Sequence, residues 1–178
     1  MYGGYDGTAV RVGRLAPQEI ALLRGGPRAA VTVAVLALHL RGAVMPEGPG
    51  TMSARAPDAE AGETPLEIAV YGALHRPGTP RTLARHPEVR LAVARMRIPL
   101  AEAGLLRYPL LGPTRATRRE IRALARRHPV PVTRRGLSDH ARLLAVALHG
   151  ETAWQVVAPR SALRAGPSIR PPVPQTFA

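Results

Sequence analysis

The sequence contains no cysteine, lysine or asparagine among its 178 residues, and only 3% of its residues are aromatic. The absence of cysteine excludes disulfides, thiolate metal sites and a cysteine nucleophile. With so few aromatic side chains, the chain lacks the stacking surfaces on which single-stranded nucleic acids bind. Contacts to the backbone of duplex DNA need no aromatic residue, so duplex binding remains open.

Long apolar segments are also missing. The longest runs from residue 29 to residue 40, which is about half of the ~20 residues that a membrane span needs. The N-terminus lacks the charged and then apolar pattern of a signal peptide. We therefore expect a protein that does not insert into a membrane, and the cytoplasm is its default location.

Arginine supplies all 25 basic residues, and the net charge is +13. A composition rich in alanine, glycine, proline and arginine is typical of G+C-rich genomes, so the total charge alone does not indicate a function. Its distribution is more informative, because compositional bias acts along the whole chain. Residues 1–104 hold 12 arginines and 9 acids, whereas residues 105–178 hold 13 arginines and 3 acids. The C-terminal part is therefore the basic one.

The pattern of apolar and helix-ending residues predicts a mainly α fold with short β-hairpins and winged-helix-like units. A first unit, 15–54, follows a flexible arm at 1–14. It holds a helix that begins at Pro17 and ends at Gly25 and Gly26, a second helix from Pro27 capped by Gly42, and two strands at 43–45 and 51–54.

Residues 55–63 lack periodicity and are predicted to be a linker. A second unit, 64–107, begins at a capping box of Thr64 and Glu67. It continues with a helix at 89–103 that is predicted to kink at Pro99 and to end at Gly104. A basic helical part at 108–166 and a proline-rich, disordered tail at 167–178 complete the predicted organisation.

The basic segment contains the strongest surface signal. Helical spacing places Arg115, Arg119, Arg122 and Arg126 on one stripe, while Ile121 and Leu124 face elsewhere. Guanidinium groups bind carboxylate and phosphate groups with two parallel hydrogen bonds. The predicted binding residues are Arg115, Arg118, Arg119, Arg122, Arg126, Arg127, Arg134 and Arg135. The alternative is a solvated helix face in an arginine-rich protein.

Other motifs favour structural roles. The six histidines never have the spacing that places two imidazoles on one helix face, so no metal site is predicted. Ser138 precedes Asp139 and His140 but suits a helix N-cap better than a hydrolase triad. Glu67 and Glu102 occupy positions typical of capping or solvated carboxylates rather than of an acid and base pair. We expect no enzymatic activity and no cofactor.

Part of the sequence resembles a known family. The segments LAPQEIALLRGGPRAAVTVAVLALHLRG, TPLEIAVYGAL and AEAGLLR, and more weakly AVALHG, are similar to an uncharacterised conserved domain of high-G+C Gram-positive bacteria. The similarity covers roughly residues 15–107. In that family the domain typically precedes membrane spans and sometimes a Gly/Cys-rich tail. It is often encoded beside multinuclear iron oxidases that modify ribosomally made peptides.

This chain departs from the family pattern because an arginine-rich segment replaces the membrane spans and because it has no cysteine tail. The resemblance implies a soluble accessory or recognition protein in peptide modification, and it transfers no catalytic residue. Two hypotheses follow. The first is a binding module for an acidic protein or peptide, which would add a strand to the hairpin or fill a helical groove. The second is a winged-helix DNA-binding protein that uses the C-terminal arginines.

Overall fold

The computed structural model describes residues 12–48, 50–55, 62–107 and 111–158. The helices in these ranges are α1 (Pro17–Leu40), α2 (Pro65–Ala73), α3 (Pro80–Leu83), α4 (Pro87–Glu102), α5 (Arg115–Arg127), α6 (Asp139–His149) and α7 (Glu151–Val157). Two antiparallel hairpins pair β1 (Val44–Gly48) with β2 (Thr51–Ala54), and β3 (Leu106–Arg107) with β4 (Gly112–Pro113). The predicted fold class, mainly α with short hairpins, is confirmed.

The predicted tail at 167–178, most of the predicted arm at 1–14 and the centre of the predicted linker at 55–63 lie outside the described residues. The arm does include Val12, which is buried against the core. This part of the arm therefore contributes to the fold. Helix α7 has no counterpart among the predicted elements.

Helix α1 bends at the Gly-Gly-Pro corner that the sequence predicted. Gly26 has φ +74° and ψ −165°, a combination that essentially only glycine adopts. Pro27, which lacks a backbone N–H, begins the next turn. The two predicted helices therefore follow one another without a gap.

Replacing Gly26 with alanine is expected to destabilise the protein by about 1 to 3 kcal/mol. An added Cβ would meet no other atom within 4 Å, so the cost arises from the backbone conformation alone. Gly72→Ala is the matched control: it also enters open space, but within helix α2, and should stabilise by up to about 1 kcal/mol. Urea denaturation followed by circular dichroism measures both changes. Equal stabilities of the two variants would contradict the expectation.

Both long helices end in a left-handed glycine. After α1, the N–H of Gly42 donates to the C=O of His39, and the N–H of Ala43 donates to the C=O of Leu38, each at 2.9 Å. Gly42 has φ +75°, as predicted for a helix cap. Gly104 closes α4 with the same pair of bonds and φ +72°. A hairpin follows each glycine, so the predicted order of helix, glycine and strand occurs twice.

The first hairpin has one covered edge, and no strand among the described residues pairs with its other, free edge. Met52 in β2 and Gly78 exchange two backbone hydrogen bonds of 2.9 Å, which cover the β2 side. Because antiparallel residues alternate in direction, Pro46, which pairs with Met52, turns its backbone nitrogen toward the free edge of β1. Proline has no N–H to donate, so this edge is a poor template for an added strand.

One continuous cluster of buried apolar residues extends from Val12 to Val157. Helix α1 lies at its centre and packs most extensively against α6, then against α2. Arg24 joins α1 to the end of α6, because its Nε donates to the C=O of Ala147 at 2.6 Å. Burial lowers the pKa of the Arg24 guanidinium. Gly150 separates α6 from α7 and has φ +63°; a Cβ added there would lie 2.7 Å from the Arg24 guanidinium, so a larger residue would require Arg24 to move.

Helix α1 is long and apolar enough to cross a membrane by length and composition alone. The uninterrupted apolar run is shorter than a membrane span, so the sequence predicted no such helix. In the structure, 61% of its most apolar window is buried inside the protein, and Gly26 bends the helix. The core helix of a globular protein passes the same test, so this finding is weak evidence for a span.

Candidate functional site

Helix α5 is fixed at its start by two threonines. Thr114 caps the helix, since its Oγ1 accepts from the N–H of Thr117 at 3.1 Å. Thr117 is completely buried, and its hydroxyl donates to the C=O of Leu105 at 2.9 Å. Ile121 is buried one turn later. These contacts determine which face of α5 is turned toward solvent.

The opposite face carries the predicted arginines. All eight are exposed, six of them on α5 and two on the loop before α6. None of their guanidinium groups forms an ion pair or hydrogen bond within the described part of the chain. We call this set the arginine surface, and it consists of Arg115, Arg118, Arg119, Arg122, Arg126, Arg127, Arg134 and Arg135.

The arginines of α5 stand close to one another. Arg115, Arg119, Arg122 and Arg126 share one face and cover about 16 Å along the helix axis. Like charges three or four residues apart each cost a helix about 0.2 to 0.5 kcal/mol. The Thr114 cap and the packing of Ile121 must offset this repulsion. An anionic ligand would relieve it, which makes this face chemically suited to carboxylates or phosphates.

The end of α5 is attached to the last helices. Nε2 of His149 lies 2.7 Å from the carbonyl oxygen of His128, which ties the end of α6 to the end of α5. Ser138 caps α6, as predicted, by accepting from the N–H of Ala141 at 3.2 Å. The loop that carries Arg134 and Arg135 is therefore held at both ends.

The histidines and the two glutamates singled out in the sequence do not come together in one site among the described residues. No group of three histidine or acidic side chains in the described ranges has the arrangement of a metal site. Nδ1 of His39 lies 3.2 Å from the carbonyl oxygen of Val44, at the start of β1. Glu102 is exposed at the end of α4, whereas Glu67 is buried in α2.

Glu67 is buried, which the sequence did not predict. The Thr64 hydroxyl accepts from the N–H of Glu67 at 3.2 Å, which confirms half of the capping box. The Glu67 carboxylate, however, accepts from the backbone N–H of Glu63 at 2.9 Å and from the side chains of Gln18 and Arg41. It is 2% exposed, so the expectation of a solvated or merely capping carboxylate is wrong.

The hydrogen bonds of Glu67 connect the two ends of helix α1. Gln18 lies in its first turn and Arg41 directly after its last, yet both donate to the same carboxylate. The bend at Gly26 therefore brings the two ends of the helix together. No local sequence signal identified this contact, because Gln18 is 49 residues from Glu67.

Comparisons with protein-family models, curated proteins and solved structures found no match to this chain. The arrangement of its own residues is therefore the basis for a functional conclusion.

Proposed function

We propose that the protein is a non-catalytic recognition module that binds an acidic segment of a partner protein or peptide through the arginine surface. The supporting observation is the exposure of all eight arginines without an acidic partner in the described residues. Carboxylates match the planar guanidinium group, so an acidic chain satisfies several arginines at once.

The family resemblance suggests the setting. By that analogy the module is an accessory factor in ribosomal-peptide modification, and its ligand is an acidic stretch of the peptide or of the modifying enzyme. Pro46 disfavours strand addition at the β1 edge. Side-chain contacts from a helix surface are the recognition mode that the described elements support better.

Replacing Arg115, Arg119, Arg122 and Arg126 with glutamine should weaken binding of a glutamate-rich peptide about fourfold to several-hundredfold, since each exposed pair contributes roughly 0.2 to 1 kcal/mol. Fluorescence anisotropy of a labelled peptide across a salt series measures the loss. The matched control replaces four other exposed arginines with glutamine and so removes the same charge; these are Arg55, Arg76, Arg81 and Arg85. Equal losses in the two variants would contradict a defined site.

A second candidate function is DNA binding by a winged-helix-like arrangement. It is favoured by the twice-repeated order of helix, left-handed glycine and hairpin, together with the unpaired arginines. Labelled duplex DNA in the same salt series tests this function. Each lost phosphate contact should reduce the slope of log affinity against log salt concentration by about 0.9. If the protein binds DNA tightly and the variant with four glutamines on α5 does not, DNA binding is the function of the arginine surface. Binding of neither ligand at low salt would reject both.

A further inference from the structure

Helix α4 has an apolar face, on the side opposite its core contacts, that no other described element covers. Val89, Val93 and Leu100 pack into the core. On the exposed side, Leu91 and Ile98 are 46% and 57% exposed. Ala94 and Ala101 are also exposed, and the four follow one another at intervals of three and four residues. This spacing forms a single stripe along the helix, like the seam at which two helices pack.

A groove runs beside this stripe. The groove has a volume of about 490 Å³. Pro27 at the bend of α1 and Ala84 after α3 form its far side, and Leu91 and Ala94 line its near side. The surface available to a ligand is therefore a groove next to a ridge, rather than a flat helix face.

Two arginines give the groove its charge. Arg90 and Arg97 both line it, and their spacing of seven residues places them on the same side of α4, about 10 Å apart along the axis. Neither forms an ion pair within the described ranges, and no acidic residue lines the groove. An apolar floor with two unpaired cations at heptad spacing is complementary to an amphipathic helix with acidic flanks.

We propose that this α4 groove is a second docking site, separate from the arginine surface, and that it binds an acidic amphipathic helix of a partner protein. A second copy of the chain is a poor occupant, because it would present the same arginines. The segment 159–178 is equally unsuitable, since it carries three arginines and no acid. Charge complementarity therefore selects an acidic partner, and the helical spacing of the stripe selects a helix.

The test begins with a displayed library of random helical peptides selected against the full-length protein. We expect the enriched peptides to combine leucine or isoleucine at intervals of three and four residues with flanking glutamate or aspartate. Anisotropy then compares the best peptide with a scrambled peptide of the same composition. Failure to enrich such peptides, or equal binding of the scrambled peptide, would overturn the proposal.

Substitutions in the groove test whether the selected peptide binds there. Arg90→Glu with Arg97→Glu should weaken the selected peptide by about tenfold or more, and Leu91→Gln with Ile98→Gln should weaken it similarly. The charge-matched control is Arg55→Glu with Arg76→Glu, outside the groove, and thermal denaturation verifies that all variants fold. Unchanged affinity in both groove variants would overturn the proposal.

Binding at the α4 groove can be tested separately from binding at the arginine surface. The glutamine variant of Arg115, Arg119, Arg122 and Arg126 should keep its affinity for the selected peptide within about twofold, because exposed charges act over short distances in salt. Loss of peptide binding in that variant alone would assign the peptide to the arginine surface and overturn the groove as its site. Displacement of the peptide by duplex DNA through Arg90 and Arg97 would identify the groove as a nucleic-acid site instead.

Discussion

The variant Glu67→Ala is expected to lose about 2 to 4 kcal/mol of folding free energy, because it leaves the buried Gln18 amide without its acceptor and removes a partly buried ion pair with Arg41. It also frees the backbone N–H of Glu63. Urea denaturation followed by circular dichroism measures the loss.

A large effect is expected because the Glu67 carboxylate holds both ends of the bent helix α1 against the start of α2. Glu63→Ala is the control, since its exposed carboxylate also pairs with Arg41, at 3.3 Å, and should contribute no more than about 1 kcal/mol. An apolar replacement of Gln18, Arg41 and Glu67 together should recover much of the lost stability, because the side-chain donors are then removed together with their acceptor. A loss below about 1 kcal/mol for Glu67→Ala would contradict the structural role assigned to the network.

Leu36→Ala should destabilise the protein by about 2 to 5 kcal/mol, as expected when a fully buried leucine is truncated. Leu36 lies in the second segment of α1 and is 0% exposed, so its loss opens a cavity at the centre of the core. Since a domain is stable by only about 5 to 15 kcal/mol in total, this variant should unfold at markedly lower urea concentration.

Leu91→Ala is the control for Leu36→Ala because it removes the same atoms from the exposed face of α4. Its expected cost is about 0.5 kcal/mol or less. If the two variants lost similar stability, the burial assigned to α1 or the exposure assigned to α4 would be wrong. The control has a second use, because it should weaken a peptide that binds in the α4 groove while leaving the fold intact.

Helix ends were well predicted from sequence. Ser138 was predicted to be the N-cap of a helix, and the structure confirms that its side chain caps α6. Gly42 and Gly104 were predicted to end α1 and α4, and both have the expected positive φ. These features depend on hydrogen bonds between residues three to five positions apart, so the neighbouring sequence contains the information that determines them.

The exposure of the arginine surface was also predictable, because the helical period alone separates Ile121 from the charged stripe. The unpredicted contacts are those between distant segments. Met52 pairs with Gly78 across the predicted boundary between two units, and helix α7 lies against the core through Ala153 and Val157. Neither contact has a periodic signature.

By itself, the sequence determined the long helices, the glycine caps of α1 and α4, the break at Gly26 and the charged face of α5, because each follows from local backbone geometry or from the 3.6-residue period. Only the tertiary structure decided that Glu67 is buried and that no other described element covers the α4 stripe. A carboxylate at a helix start looks the same whether water or Gln18 and Arg41 surround it, and an apolar stripe looks the same whether or not another helix covers it. The difference lies in long-range packing, which local patterns do not encode.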